Sequence, residues 1–310
     1  MSEAADTVTS KAALLVDEAV QLAYRVIPDQ TTQGFTPGKT GFLSTGLKEK
    51  RRGGLGTQFW QFRDYQSTDT PRAVDWKRTA RGDNLVVKER EQEQADLYRL
   101  WVDPLLRYKE AASPHRYKNK YEFSCLLAVA LAQIIHELED RTLVFSENTP
   151  RSGRGLRTLE AHAIEFLSPH ATNFIKLKNI KTSSSETPFL FSDFWVPTEA
   201  LKADLLPVMQ HFRTGYLIQI ADPEEINFPY LGRTQFKPTH NADWSYKVED
   251  AAAVREVYLD RIRKHQQELA SLCRIHGWTY LSYTTGDDLI TILNALYRSI
   301  ATSHSGDKGS

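Results

Sequence analysis

Cysteine is scarce in this sequence, and the patterns by which cysteine binds zinc or builds a disulfide framework are absent. The two cysteines, Cys125 and Cys273, lie far apart inside apolar helical patterns and form no CxxC motif. The sequence therefore predicts two buried free thiols in a reducing compartment and no zinc site.

Net charge is missing as well, because 39 Lys and Arg residues balance 39 Asp and Glu residues. This balance gives the chain no overall attraction to nucleic acid or to an anionic membrane. The longest apolar run, Cys125 to Ala132, is too short to span a bilayer. Acidic and polar residues interrupt the apolar positions near the N-terminus, as in an amphipathic helix rather than a secretion signal. We expect a cytoplasmic protein without a membrane span.

The sequence also lacks the common local motifs of catalysis and nucleotide binding. No glycine-rich phosphate loop follows a predicted strand, and no GxSxG, HExxH or DxDxDG motif occurs. His136 and His211 lie within helical patterns without a partner at metal spacing, which favours structural or solvated roles. No enzyme class and no cofactor is indicated by motif.

What the sequence does contain is an alternation of strand and helix patterns. Apolar runs typical of buried strands recur at 96–103, 141–146, 187–193, 215–222 and 278–283, and amphipathic helical patterns separate several of them. This alternation predicts an α/β fold with a doubly wound, mostly parallel sheet. We divide the chain into an N-terminal helix and linker (1–45), an arginine-aromatic segment (46–92), the α/β domain (93–302) and a polar tail (303–310).

Three of the predicted strands end on an acid: Asp103, Asp193 and Asp222. Ligands of open parallel sheets bind at the carboxyl ends of the strands, so these acids are candidates for a metal site or a general base. The more frequent role of an aspartate after a strand is to cap the next turn or helix, and this alternative stays open.

The arginine-aromatic segment, 46–92, combines basic, acidic and aromatic residues. From Lys48 to Arg90 it holds eleven Lys or Arg and six Asp or Glu, interleaved with aromatic side chains. A single-strand nucleic-acid platform has this composition, but acids placed among the arginines would repel phosphate unless they were paired internally. We therefore favour a self-paired clasp or a protein-docking surface, with Trp76 anchored by burial. The candidate residues are Arg63, Tyr65, Asp69, Arg72, Asp75, Trp76 and Arg81.

These motifs together resemble a known bacterial family. The order "GGLGTQFWQFRDYQSTDTPRAVDWKRTAR", a strand ending in Asp103, "SDF" at 192–194 and "IADPEEINFP" is similar to domain-of-unknown-function family 58. The resemblance extends over residues 53–301. It implies a von Willebrand factor A-like domain, a frequent association with MoxR-type AAA+ ATPases, and no established catalytic activity.

Many members of that family hold a divalent ion through an Asp-x-Ser-x-Ser motif after the first strand and an Asp in the "SDF" position. The resemblance assigns those two acids to Asp103 and Asp193, but Leu105 and Arg107 stand where the two serines belong. Leu has no oxygen donor and Arg is a cation, so the resemblance implies a degenerate magnesium site. We expect Arg107 to pair with Asp103 or Asp193 in place of the ion.

The sequence thus predicts a non-catalytic interaction or assembly factor that works with a MoxR-type AAA+ ATPase and a further protein client. The alternative from another class is a metal-dependent hydrolase that uses Asp103 and Asp193. A nucleic-acid-binding module is the least favoured of the three.

Overall fold

A computed structural model describes residues 2–27, 53–65, 74–79, 85–91, 95–108, 118–146, 152–168, 182–236 and 245–306. The chain divides into two compact units. One comprises Met1–Gln30 and Asp96–Ser299, and the other comprises Thr31–Ala95 and Ile300–Ser310. The N-terminal helix, which the sequence analysis set apart, therefore belongs to the same unit as the α/β domain.

The described strands are β1 Gly53–Asp64, β2 Val86–Glu91, β3 Leu97–Val102, β4 Arg141–Val144, β5 Thr187–Ser192, β6 Tyr216–Ala221, β7 Thr234–Phe236, β8 Tyr246–Val248 and β9 Thr279–Thr284. The described α-helices are α1 Ser2–Val26, α2 Trp76–Thr79, α3 Lys120–Glu137, α4 Leu156–Leu167, α5 Thr198–His211, α6 Pro223–Asn227, α7 Ala251–Ile275 and α8 Leu289–Gly306. A 3-10 turn, Pro104–Tyr108, follows β3. None of the described helices combines the length and apolar character that crossing a membrane requires.

The larger unit is built on a five-stranded sheet in the order β4-β3-β5-β6-β9, and every pairing in it is parallel. The chain first moves outward from β3 to β4, then returns past β3 to build β5, β6 and β9 on the other side. This reversal makes the sheet doubly wound and puts its switch point between the carboxyl ends of β3 and β5. The predicted α/β class with a Rossmann-like, von Willebrand factor A-like sheet is confirmed.

Helix α3 is buried on nearly its whole circumference, from Tyr121 to His136. It packs on the sheet and also against α1 and α4, and only Glu122 and Glu137, near its two ends, are exposed. A helix packed between two layers needs apolar residues on all of its sides, and the sequence "CLLAVALAQII" provides them.

A second apolar cluster lies between the sheet and helices α5 and α7. Its members come from the strands and from α5 and α7, and they include Trp101, Phe145, Leu190, Leu205, Leu217 and Leu269. Because α3 covers one face of the sheet and this cluster covers the other, the central strands carry buried apolar residues at successive positions, as the continuous runs in the sequence predicted.

The smaller unit contains an antiparallel pair, β1 and β2, whose register runs from Gly53 opposite Glu91 to Asp64 opposite Val86, with irregularities on either side of Phe59. Backbone hydrogen bonds tie its flanking segments to the same pair. The Tyr65 N–H donates to the Leu85 carbonyl (2.9 Å) and the Asp75 N–H donates to the Val86 carbonyl (2.8 Å).

A buried chain of hydrogen bonds links two histidines to β4. The Gly155 N–H donates to His136 Nδ1 (3.2 Å), so Nε2 carries the proton and donates to Thr142 Oγ1 (2.7 Å). The Thr142 hydroxyl then donates to His162 Nε2 (2.8 Å). Burial, and secondly the Arg154 cation, lower the pKa of His136 to about 4, whereas burial and then His136 lower the pKa of His162 to about 3. Both imidazoles are therefore neutral in the folded protein.

These histidines make the unit sensitive to acid. The unfolded chain takes up protons on both imidazoles below about pH 6.5, while the folded protein does not until about pH 4, so stability falls as the pH drops through this window. Urea unfolding measured from pH 7 to pH 4 should show little change above about pH 6.5 and, below it, a loss of about 1.4 kcal/mol per pH unit for each histidine. His162→Leu removes about half of this slope, with His211→Gln at an exposed position as the matched control. A slope that persists in full in His162→Leu contradicts this assignment.

Candidate functional site

The acids predicted to follow β3 and β5 do meet at the switch point of the sheet. Val102 is paired with Phe191, and the Asp103 N–H donates to the Phe191 carbonyl (2.9 Å), so Asp103 lies beside the end of β5. Asp103 and Asp193 are 8% and 1% exposed, which makes both carboxylates part of the interior. Sequence reasoning placed them correctly at one edge of the sheet.

Both carboxylate oxygens of Asp103 accept hydrogen bonds from residues at the same edge of the sheet. Its Oδ2 accepts the Ser192 hydroxyl (2.6 Å), and its Oδ1 accepts the Leu105 N–H (2.9 Å) at the start of the 3-10 turn. The second bond is the turn-capping role that the sequence analysis left open for such acids. The first joins the end of β3 to the end of β5.

Asp193 is bonded to a buried lysine. Lys120 Nζ lies 2.9 Å from Asp193 Oδ2 and 2.6 Å from Glu225 Oε1, and Lys120 is only 2% exposed. Burial alone lowers the pKa of Lys120, but attraction to Asp193 and then to Glu225, with a hydrogen bond to each, outweighs burial and raises it. The ammonium is therefore charged at neutral pH.

Lys120 reaches this place because α3 begins there. Asn119 caps the helix by accepting the Glu122 N–H (2.8 Å), which makes Lys120 its first residue. The helix start lies at the same end of the sheet as the ends of β3 and β5. The aliphatic part of the Lys120 side chain is buried with α3, and its ammonium contacts Asp193 and Glu225.

Glu225 connects this lysine to two further segments. Its Oε2 accepts the Trp195 indole N–H (3.0 Å) and the Asp222 backbone N–H (2.9 Å). Asp222 caps α6 and forms a reciprocal capping box with Glu225, so the third strand-end acid has the capping role. The loop after β5 and the first turn of α6 are thus joined through one carboxylate.

Phe194, the residue after Asp193, has a left-handed backbone with φ of 50°. Such a conformation is uncommon for a large side chain and persists only where the surroundings hold it. The Phe194 carbonyl accepts the Val196 N–H (2.8 Å) and His265 Nε2 (2.9 Å), and the Phe194 ring is buried in the second apolar cluster. Helix α7 therefore supports the strained turn that presents Asp193.

The prediction that Arg107 takes the place of the ion is wrong. Its guanidinium donates instead to the Tyr121 hydroxyl (2.6 Å) and to the Phe166 carbonyl (2.5 Å), and it lies over the Tyr121 ring. The cation that pairs with Asp193 is Lys120, which sequence reasoning missed. The only available hint was a lysine at the start of an otherwise apolar helix.

The residues at this edge do not fit a divalent metal ion. Leu105 offers no oxygen ligand and is 53% exposed, and Asp193 already pairs with the Lys120 ammonium. In the described part of the chain, no group of three or more His, Cys, Asp or Glu side chains is gathered as a metal site requires. The chemistry of the donor set therefore argues against magnesium here.

The candidate residues of the arginine-aromatic segment are only partly within the described ranges. Arg63 lies in β1 opposite Val87, the Asp75 N–H donates to Val86 in β2, and the Tyr65 N–H donates to Leu85 just before β2. Asp69, Arg72 and Arg81 lie outside the described residues. Trp76 is 63% exposed, so the expectation that burial of its indole anchors the segment is wrong. The backbone bonds of Asp75 and the buried Val74, rather than the indole, hold the start of α2 beside β2.

The fold and the strand-end acids define a doubly wound α/β domain with a polar site at its switch point. The family model described as "Protein of unknown function DUF58" matches residues 61–268, more than half of the chain. The chain belongs to this family. Comparison with curated proteins and with solved structures finds no match.

The Ser192 hydroxyl is expected to contribute to stability through its bond to Asp103. Ser192→Ala removes a donor from a buried carboxylate, which should lower the free energy of unfolding by about 1.5–3 kcal/mol. Urea denaturation with an unchanged m-value measures this loss. Ser185→Ala, at an exposed serine, is the control and should change the free energy by less than about 0.5 kcal/mol. Equal effects of the two substitutions would contradict the assignment.

Proposed function

We propose that this protein is a non-catalytic interaction or assembly factor that works with a MoxR-type AAA+ ATPase in the bacterial cytoplasm. The observation that carries the interaction role is the exposed indole of Trp76, within the segment on which the family resemblance rests. Trp76 is 63% exposed, and Leu85 in the same unit is 43% exposed. Exposed tryptophan is typical of the residues that dominate binding energy at protein interfaces.

The chemistry of the switch point supports a role without catalysis. A hydrolase that used Asp103 and Asp193 would need both carboxylates to hold a divalent ion or to move a proton. Asp103 instead accepts the Ser192 hydroxyl, and Asp193 pairs with Lys120. These contacts commit the two acids to the structure of the sheet edge and count against the hydrolase alternative.

The same edge carries exposed apolar side chains of its own. Leu105, two residues after Asp103, is 53% exposed, and Val196, three residues after Asp193, is 44% exposed. Both follow neighbouring strands and therefore lie at the carboxyl end of the sheet, where doubly wound domains bind their ligands. A protein client is the kind of ligand that such apolar residues suit.

The choice of ATPase rests on the family association. The family resemblance implies a frequent association with MoxR-type AAA+ ATPases in bacteria, and exposed apolar side chains such as Trp76 and Leu105 suit a protein that joins an ATPase to a client. A tagged chain expressed in its native host, recovered in the presence of ATP and analysed by mass spectrometry, tests the partnership. Recovery of a MoxR-type ATPase supports it, and recovery without any AAA+ ATPase contradicts it.

Trp76→Ala tests the docking role of the indole. We expect loss of ATPase or client recovery by at least tenfold, since a hot-spot side chain contributes about 2 kcal/mol or more. The far-ultraviolet circular dichroism and the melting temperature should stay near those of the unchanged protein, because the indole is exposed. Tyr246→Ala is the matched control, an aromatic side chain 64% exposed on β8. Equal recovery with both variants would show that Trp76 does not dock a partner.

A further inference from the structure

The unexplained feature of the switch point is a lysine ammonium buried between two carboxylates. Lys120 is 2% exposed, and its Nζ contacts Asp193 Oδ2 at 2.9 Å and Glu225 Oε1 at 2.6 Å. Burying a charged ammonium is costly unless strong pairing compensates for the lost hydration. The position is therefore a built cation site whose occupant is part of the chain.

We propose that Lys120 is a tethered cation that substitutes for a divalent metal ion and holds this edge of the sheet in one metal-independent form. The inference concerns the ion chemistry of the edge and does not depend on the ATPase partnership or on docking at Trp76.

Lys120 holds three separate segments of the chain together, as a bound metal ion does in many proteins. Its single ammonium brings together the first turn of α3, the loop after β5 through Asp193, and the first turn of α6 through Glu225. An ammonium has three donors, and two of them are directed at carboxylates from different segments of the chain. Without the ammonium between them, the Asp193 and Glu225 carboxylates would be two neighbouring like charges that repel each other.

Because this cation is part of the chain, the stability of the edge should not depend on the concentration of metal ions in solution. A metal ion stabilises a fold in proportion to its free concentration, and chelators remove it. The lysine is covalently attached, so its occupancy is independent of cation concentration. The edge is expected to keep the same form whether magnesium is present or removed.

A purely structural ion pair would differ from a tethered cation in one measurable respect. Lys120→Ala leaves a space the size of a short alkylammonium next to two carboxylates. If the position is a true cation site, a small cation from solution should enter it and restore stability. If Lys120 is only an ion-pair partner whose place no free ion can take, cations should have no specific effect.

Thermal unfolding of the full chain tests this at constant ionic strength. The unchanged protein should show the same melting temperature in EDTA, MgCl₂ and MnCl₂. Lys120→Ala should melt about 10 °C lower, because it leaves buried carboxylates without their counter-charge. Propylammonium chloride or MnCl₂ should recover a substantial part of this shift, whereas NaCl and the uncharged 1-propanol should not. Lys202→Ala is the matched control, since Lys202 pairs with the exposed Glu199 and should show neither loss nor rescue.

Two results would overturn the proposal. One is saturable binding of Mg²⁺ or Mn²⁺ to the unchanged protein by calorimetry, which would mean that Lys120 does not replace an ion. The other is a Lys120→Ala protein that neither Mn²⁺ nor propylammonium restabilises. Should this variant fail to fold in plain buffer, the same cations are added during refolding. Recovery of folded protein with them, but not with NaCl, supports the tethered cation, and no recovery refutes it.

Discussion

The ion pairing of Lys120 with Asp193 and Glu225 is the interaction on which the carboxyl end of the sheet depends. A cation in the first turn of a helix is disfavoured by the helix dipole, and burial adds the cost of lost hydration. Both costs are offset only because two carboxylates meet the ammonium at hydrogen-bonding distance. Since Asp193 lies in the loop after β5 and Glu225 in the first turn of α6, one ammonium joins the two segments that follow β5 and β6.

The rest of the switch point follows from the same arrangement. Asp103 bonds the Ser192 hydroxyl and joins the first strand of the unit to its neighbour, while Glu225 bonds the Trp195 indole and the Asp222 backbone. The strained turn at Phe194 is supported from α7 by His265. Each strand-end acid is thus engaged in contacts that give this edge of the sheet a defined shape.

Much of the α/β unit was predictable because strands and helices leave local patterns. The runs that became β3, β5 and β6 are continuous and apolar, as in strands covered on both faces, and Asp103 and Asp193 fall at their ends. Helix α4 was missed although its buried Leu159, Ala163 and Phe166 recur at helical spacing. The polar residues between them and the glycine-rich approach hid that pattern.

The site itself was less predictable, because its contacts join residues far apart in the chain. Lys120 pairs with Asp193 and Glu225 across 73 and 105 positions, and no local pattern records such a contact. Lysine is also among the residues least often buried, so a lysine beside a helix cap is ordinarily interpreted as solvent-exposed. The error at Trp76 had the opposite origin, since tryptophan is usually well buried and the average preference was applied to a residue that is exposed.

Helix α3 is held by polar bonds at both ends. Lys120, its first residue, is bound to acids at the carboxyl edge of the sheet, and His136, in its last turn, is bound to Thr142 in β4. Apolar packing is non-directional and leaves a helix some freedom of rotation and register that hydrogen bonds of fixed geometry do not leave. Anchors at opposite ends remove that freedom. The register of the helix is therefore set by polar contacts at both ends of the sheet and not by apolar packing alone.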